Sequence, residues 1–178
     1  MNSFNKKQTG YTLIEIMVAM VVVSMIVGGS LMGFKMLKTG ANVDREAKKV
    51  SLIQTSLVKY TTNTVDTLGI DTSTAIDLKA VPDDTILGGN KITNRFGGET
   101  TIAPDTLTNA NDAINITNNG MNKEQCIEYG KTGGASYEVI KANGTTVKAR
   151  TESKVNETIK AACVVGTANA VSFVFAKG

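Results

Sequence analysis

Residues 11–34, YTLIEIMVAMVVVSMIVGGSLMGF, decide the fold, and they follow a short polar segment, MNSFNKKQTG, at positions 1–10. Seventeen of these 24 side chains are apolar, four of the seven Met lie among them, and Glu15 is their only charged group. As a helix rising 1.5 Å per residue the stretch is about 36 Å long, enough to cross the ~30 Å hydrocarbon layer of a bilayer. Lys6 and Lys7 stand before it and no basic residue lies between Thr12 and Phe34, so the positive-inside rule keeps residues 1–10 in the cytoplasm. A secretory signal would carry its cleavage site after the apolar run. Gly28, Gly29 and Ser30 are small enough for one, yet the helical pattern continues through them.

Glu15 is the anomaly in this segment. A carboxylate costs on the order of 2.5 to 3.5 kcal/mol at mid-membrane, less near the interface, and so calls for a partner. The segment contains no cation. A cut after Gly10 would give Tyr11 a new α-amino group, which is largely protonated at neutral pH. Tyr11 and Glu15 are i and i+4 on one helix, so the pair closes within a subunit, or Glu15 reaches the new terminus of a neighbour. Charge alone leaves a second reading open, an interfacial Glu that snorkels to water.

Gly10-Tyr11-Thr12-Leu13-Ile14-Glu15-Ile16-Met17, after a short basic leader and before an uninterrupted apolar helix, closely resembles the prepilin N-terminus of type IV pilins and related pseudopilins. The family pattern is usually G-F-T-L-I-E, and Tyr11 keeps an aromatic ring at its second position. The resemblance implies a leader at 1–10, cleavage between Gly10 and Tyr11 by a prepilin peptidase that also methylates the new amine, and alignment of an incoming subunit by Glu15. It further implies storage in the bacterial inner membrane, delivery through an assembly platform with minor pilins, and polymerisation into a helical homo-oligomer on the cell surface. Its rivals are a pseudopilin of a type II secretion system and, within the pilus, a minor pilin. It covers about 25 residues in detail; beyond Tyr60 only the general plan is similar.

The whole chain has 178 residues, 42% apolar, with a formal charge of +3, two Cys and no His. From Lys35 onward 17 basic residues face 15 acidic ones, so there is no basic field for nucleic acid. The missing His removes the commonest general acid/base and zinc ligand, and no nucleophile elbow, zincin helix or dinucleotide loop is present. Gly130-Lys131-Thr132 resembles the end of a phosphate loop, but Gln125 stands where its first glycine belongs. These observations point away from an enzyme and imply no cofactor and no metal.

Val43, Ala47, Val50, Ile53, Leu57 and Tyr60 recur every three or four residues, opposite Asp44, Arg45, Glu46, Lys48 and Lys49. One helix from about 11 to about 62 is therefore expected, with a membrane-spanning and filament-core part at 11–34 and an amphipathic part at 35–62. Ser24, Gly28, Gly29 and Gly33 form small-xxx-small pairs that let helices approach closely. The adjacent glycines, at about 1 kcal/mol each against Ala, equally mark a compliant point in the helix.

The domain at 35–178 reads as α+β, a long helix across a small antiparallel sheet. Residues 63–121, with both prolines and the Gly88-Gly89 and Gly97-Gly98 pairs, read as a connecting region of turns and short strands. In 122–178, a helix is expected at Lys123 to Tyr129, with Asn122 as cap and Gly130 as stop. A hairpin around Asn143-Gly144, a second helix at Glu152 to Ala162 and a strand at Val171 to Phe175 follow. Outside the cytoplasm, Cys126 and Cys163 most economically form one disulfide, and the resemblance makes them the bounds of the pilin D-region, large enough for the type IVb-like group. Asp83-Asp84 and Asp105 with Asn109, Asn111 and Asp112 match no calcium loop and read as solvated turns.

Overall fold

The computed structural model describes residues 12–134, 136–152, 154–155 and 157–178. They divide into two units, residues 12–38 and residues 39–178. The N-terminal unit is purely helical. Helix α1, Leu13–Thr61, begins in it and continues as the first element of the second unit. Of the candidate membrane window Leu13–Ser30, no part is buried within the chain.

Among the described residues of the second unit, the C-terminal part of α1, three shorter α-helices and seven strands share one core. The order after α1 is α2 (Thr72–Asp77), β1 (Ile86–Leu87), β2 (Lys91–Thr93), β3 (Glu99–Asp105), β4 (Ala113–Met121), α3 (Lys123–Thr132), β5 (Val139–Ala142), β6 (Thr145–Lys148), α4 (Ile159–Ala162) and β7 (Asn169–Ala176). The strands form one sheet, ordered β1-β2-β3-β4-β7-β5-β6 and antiparallel at every pairing. The α+β expectation holds. Strand alternation turns Ile114, Ile116 and Asn118 of β4 and Val171, Phe173 and Phe175 of β7 to the same face. On that face they meet Val43, Val50, Ile53 and Leu57 of α1 in one cluster of buried side chains.

Three members of the expected helix pattern are placed differently. Tyr60 is 46% exposed, and Thr61, whose hydroxyl donates to the Leu57 carbonyl at 2.9 Å, is buried in its stead. Glu46, expected on the wet face, is fully buried, and Lys49 is 8% exposed. They sit one step beyond the apolar stripe, where the sheet edge wraps the helix. Their ion pair spans 2.6 Å, and Glu46 Oε2 accepts the Arg95 backbone N–H at 3.0 Å. Lys49 Nζ donates to the Thr93 carbonyl at 2.8 Å and to Thr100 Oγ1 at 3.4 Å. The Thr100 hydroxyl donates to Asn118 Oδ1 at 2.6 Å, and Asn118 Nδ2 donates to Tyr129 Oη at 2.7 Å. A polar chain thus runs from α1 through β2, β3 and β4 to α3. Burial, and secondarily the Glu46 charge, push the Tyr129 hydroxyl well above its ordinary pKa, so it stays neutral in this chain.

The segment 63–121, expected as a connecting region, holds α2 and four strands, and β4 lies near the middle of the sheet. Its Asn- and Thr-rich strand, AINITNNGM, hides its pattern because the outer face carries Asn115 and Thr117 while the inner face includes a polar Asn118. Helix α3 runs past Gly130 to Thr132, with Gly133 as C-cap. Gly130 is a packing glycine: a Cβ there would collide with the Ile159 side chain. Of the second helix expected at Glu152 to Ala162, the described residues show its last turn, Ile159–Ala162, while residues 153 and 156 lie outside the described residues.

Removing one member of a buried ion pair leaves its partner charged and unmatched, at a cost of about 3–5 kcal/mol. Glu46→Ala should therefore lower stability by that amount in urea unfolding of the detergent-solubilised chain. Glu46→Met with Lys49→Met should recover most of the loss.

Candidate assembly site and disulfide-bounded region

Of the expected assembly residues, Glu15 lies in the first turn of α1. Thr12 precedes α1, and its carbonyl accepts the Glu15 and Ile16 N–H groups at 3.0 and 3.3 Å. Its hydroxyl accepts Glu15 N–H at 3.4 Å. Thr12 is therefore the N-cap, and Thr-Leu-Ile-Glu has the spacing of a capping box, with Glu15 at the third helical position. A carboxylate there also lies in the positive field of the helix dipole. Gly10 and Tyr11 lie outside the described residues.

From Leu13 to Val27 every large apolar side chain is exposed, between 49% for Ile16 and 75% for Leu13. Glu15 stands alone among them. Ser24 satisfies itself by donating to the Met20 carbonyl at 2.7 Å. Gly28, Gly29 and Gly33 are helical, and a Cβ on any of them would meet nothing within 4 Å. Among the described residues, then, nothing packs against the close-approach surface that these glycines offer.

The second region lies between the cysteines. Cys126 on α3 and Cys163 after α4 form the disulfide, with Cα atoms 5.9 Å apart. The capping box at the start of α3 is complete: Asn122 Oδ1 accepts Gln125 N–H at 2.9 Å and Gln125 Oε1 accepts Asn122 N–H at 3.0 Å. Asn143 and Gly144 have φ of 48° and 80°, the double positive φ of a type I′ hairpin turn.

Sequence reasoning saw Asn143 only as a turn residue and passed over Asn169. Asn143 Nδ2 donates to the Ala162 carbonyl at 2.8 Å and to Asn169 Oδ1 at 2.9 Å, while its Oδ1 accepts Ala170 N–H at 2.8 Å. Fully buried Asn169 donates to the Met121 and Val164 carbonyls at 3.0 and 2.9 Å and accepts Val164 N–H at 2.7 Å. Together the two amides sew the hairpin, the Cys163 segment and the end of β4 to the start of β7. The signal available in sequence was Asn at the first position of an apolar strand, which is too common to single out.

Of the acidic groups expected in turns, only Asn109 to Asp112 lies in one: Asp83 and Asp84 open a single 3-10 turn of helix, Asp83–Thr85, and Asp105 ends β3. The Asp112 carboxylate accepts backbone N–H groups of Asn109, Leu107 and Thr108 at 2.8, 2.7 and 2.9 Å, and these donors hold its carboxyl below its ordinary pKa. Asp105 pairs with Lys141 at 3.1 Å and accepts from Asn115 Nδ2 at 3.1 Å. Asp83 makes an exposed pair with Lys79 at 3.8 Å, whereas Asp84 lies in a surface groove. No group of three or more metal-ligating side chains converges among the described residues.

A capped apolar helix with one carboxylate in its first turn, continuing into an antiparallel sheet stapled near its last strand, is the architecture of a type IV pilin. The chain belongs to the PilS family: the model described as PilS N terminal matches residues 40–176. The prokaryotic N-terminal methylation motif matches residues 5–31. The fold is similar to that of the type IV b pilin from Salmonella typhi, at 22% identity and a TM-score of 0.59, covering 76% of this chain and 99% of that one. It is also similar to TcpA, a type IV pilin from Vibrio cholerae El Tor biotype, at 15% identity and a TM-score of 0.57, covering 75% and 98%. No curated protein matches the sequence.

Because the Asp112 carboxylate is already occupied by backbone donors, a calcium chelator should leave the melting temperature of the folded chain unchanged; a fall of several degrees would restore the cluster as a cation site. Opening the loop of 36 residues between the cysteines costs roughly 3 to 4 kcal/mol of chain-entropy stabilisation. Cys163→Ser should accordingly become protease-sensitive under conditions where the oxidised wild type resists.

Proposed function

We infer that this chain is the structural subunit of a type IV pilus, held in the inner membrane as a precursor and polymerised after removal of residues 1–10. The family and its fold are structural rather than enzymatic. The observation that carries the reading is the unpartnered apolar surface from Leu13 to Val27 with Glu15 as its single charge. Such a surface is stable in lipid, and it leaves lipid only where equivalent helices replace the acyl chains.

In this reading the peptidase and methyltransferase act at Gly10-Tyr11, and the amine they leave on Tyr11 is the counter-charge for Glu15 of an adjacent copy. Favourable pairing is available only when the incoming helix has advanced to the right depth, so the carboxylate works as a depth gauge as well as an attraction. Ser24, Gly28, Gly29 and Gly33 provide close helix approach or local bending inside the filament. The assembly platform and minor pilins handle the subunit, and the segment from Cys126 to Cys163 is displayed on the fibre. The size of that segment and the likeness to the Salmonella typhi pilin fold favour the type IVb-like group.

Glu15→Val is expected to insert and to be cleaved normally but, as sole subunit, to yield few or no fibres by electron microscopy. Mass spectrometry of the wild-type mature protein should show a chain beginning at N-methylated Tyr11, and a species beginning at Met1 alone would refute the processing step.

A further inference from the structure

Between residues 40 and 52, α1 carries two flanks on either side of its buried stripe. At 3.6 residues per turn, Gly40 and Arg45 lie about 140° apart around the axis. On the first flank a Cβ at Gly40 would be 3.6 Å from Glu128 Oε1, and Ala47 and Ser51 border Thr132 and Gly133, so this side abuts α3. On the second, Arg45, Lys48 and Leu52 line a surface groove with Arg95, Pro82 and Asp84.

Both flanks hold charge that the described residues do not match. The side chains of Arg45, Lys48 and Arg95 make no ion pair or hydrogen bond among the described residues, and neither do those of Glu124 and Glu128. Glu124 and Glu128 are i and i+4 on α3, exposed on one face. Lys131 on the same helix lies within electrostatic reach of Glu157. In the groove Asp84 is the one carboxylate facing three cations outside the buried Glu46–Lys49 pair, and Leu52, 61% exposed, supplies an apolar centre.

We propose that these flanks meet between neighbouring copies: Glu124 and Glu128 of one subunit dock against the Arg45, Lys48 and Arg95 groove of the next. The proposal rests on the filament reading above. A second copy is the fitting occupant because each chain presents both halves, on different sides of the helix that runs on into the assembling segment. Two unlike patches on opposite flanks make a head-to-tail contact, which propagates as an open helix instead of closing into a dimer. Complementary charge then sets register and rejects misaligned neighbours, with Leu52 desolvated between the paired groups.

The test uses the full-length chain as sole pilin. Fibres sheared from cells expressing a mixture of isotope-labelled and unlabelled wild type are treated with a carbodiimide. Lys48 cross-linked to Glu124 or Glu128 with mixed labels is the expected product. Glu124→Lys with Glu128→Lys, and separately Arg45→Glu with Lys48→Glu, should each lower fibre yield at least about tenfold at equal levels of disulfide-bonded subunit in the membrane, and the combined variant should recover most of it. Wild-type fibres without these cross-links overturn the docking pair and leave the subunit reading intact. Absence of wild-type fibres overturns both. The cross-link requires no variant to fold, so it decides the matter even if a reversal proves unstable.

Discussion

One helix is asked to satisfy two environments, and most of the molecule follows from that constraint. Val43, Val50, Ile53 and Leu57 are almost wholly buried by the chain's own sheet, whereas the large apolar side chains from Leu13 to Val27 are covered by nothing. Twelve such groups, at about 1.5 to 3 kcal/mol for full burial of each, leave on the order of ten or more kcal/mol that intrachain packing does not supply. Under the proposed function, that deficit makes the bilayer a reservoir for the subunit and other copies an alternative to it. In the same reading Glu15 makes the exchange specific, because an apolar stripe slides in register whereas a charge has one best depth.

The half of α1 within the domain solves the opposite problem, which is to hold one orientation. Apolar contact between a helix and a sheet tolerates small rotations and slides. The chain of polar groups from Glu46 and Lys49 through Thr100 and Asn118 to Tyr129 tolerates few, since each displaced member leaves a buried partner unsatisfied. Any load transmitted along α1 therefore reaches the sheet through directional bonds as well as through packing.

Much of this was legible in the amino-acid sequence. Long-period features were plain: the apolar run, the stripe from Val43 to Leu57, the Asn143-Gly144 turn, the Asn122 cap and the cysteine pair. What escaped was the chemistry that tertiary context reverses. Glu46 and Lys49 carry a surface composition and lie buried because β2 and β3 wrap past the stripe. Gly130 has the look of a helix stop and is a space-saver against Ile159. Strand β4 was lost among Asn and Thr because Asn115, Thr117 and the buried Asn118 interrupt the apolar alternation that Ile114, Ile116 and Met121 carry into the core. Asn169 was invisible because its value lies in five hydrogen bonds made by a single amide across three segments.

The position of β7 bears on the order of events in time. The strand that comes last along the chain is inserted between β4 and β5 and pairs with both. Until it arrives the sheet is two separate pieces, β1 to β4 and β5 with β6, and the aromatic layer of Phe173 against Tyr129 and Tyr137 does not exist. In the proposed function, where residues 1–10 stay in the cytoplasm and the domain crosses the membrane behind the anchoring helix, the fold thus cannot be completed while residues 169–176 are still in transit. In that reading export and folding are sequential by topology, the anchored helix holds the unfinished domain beside the bilayer during the interval, and the fold acts as its own timer, releasing a rigid subunit only once its final strand has crossed.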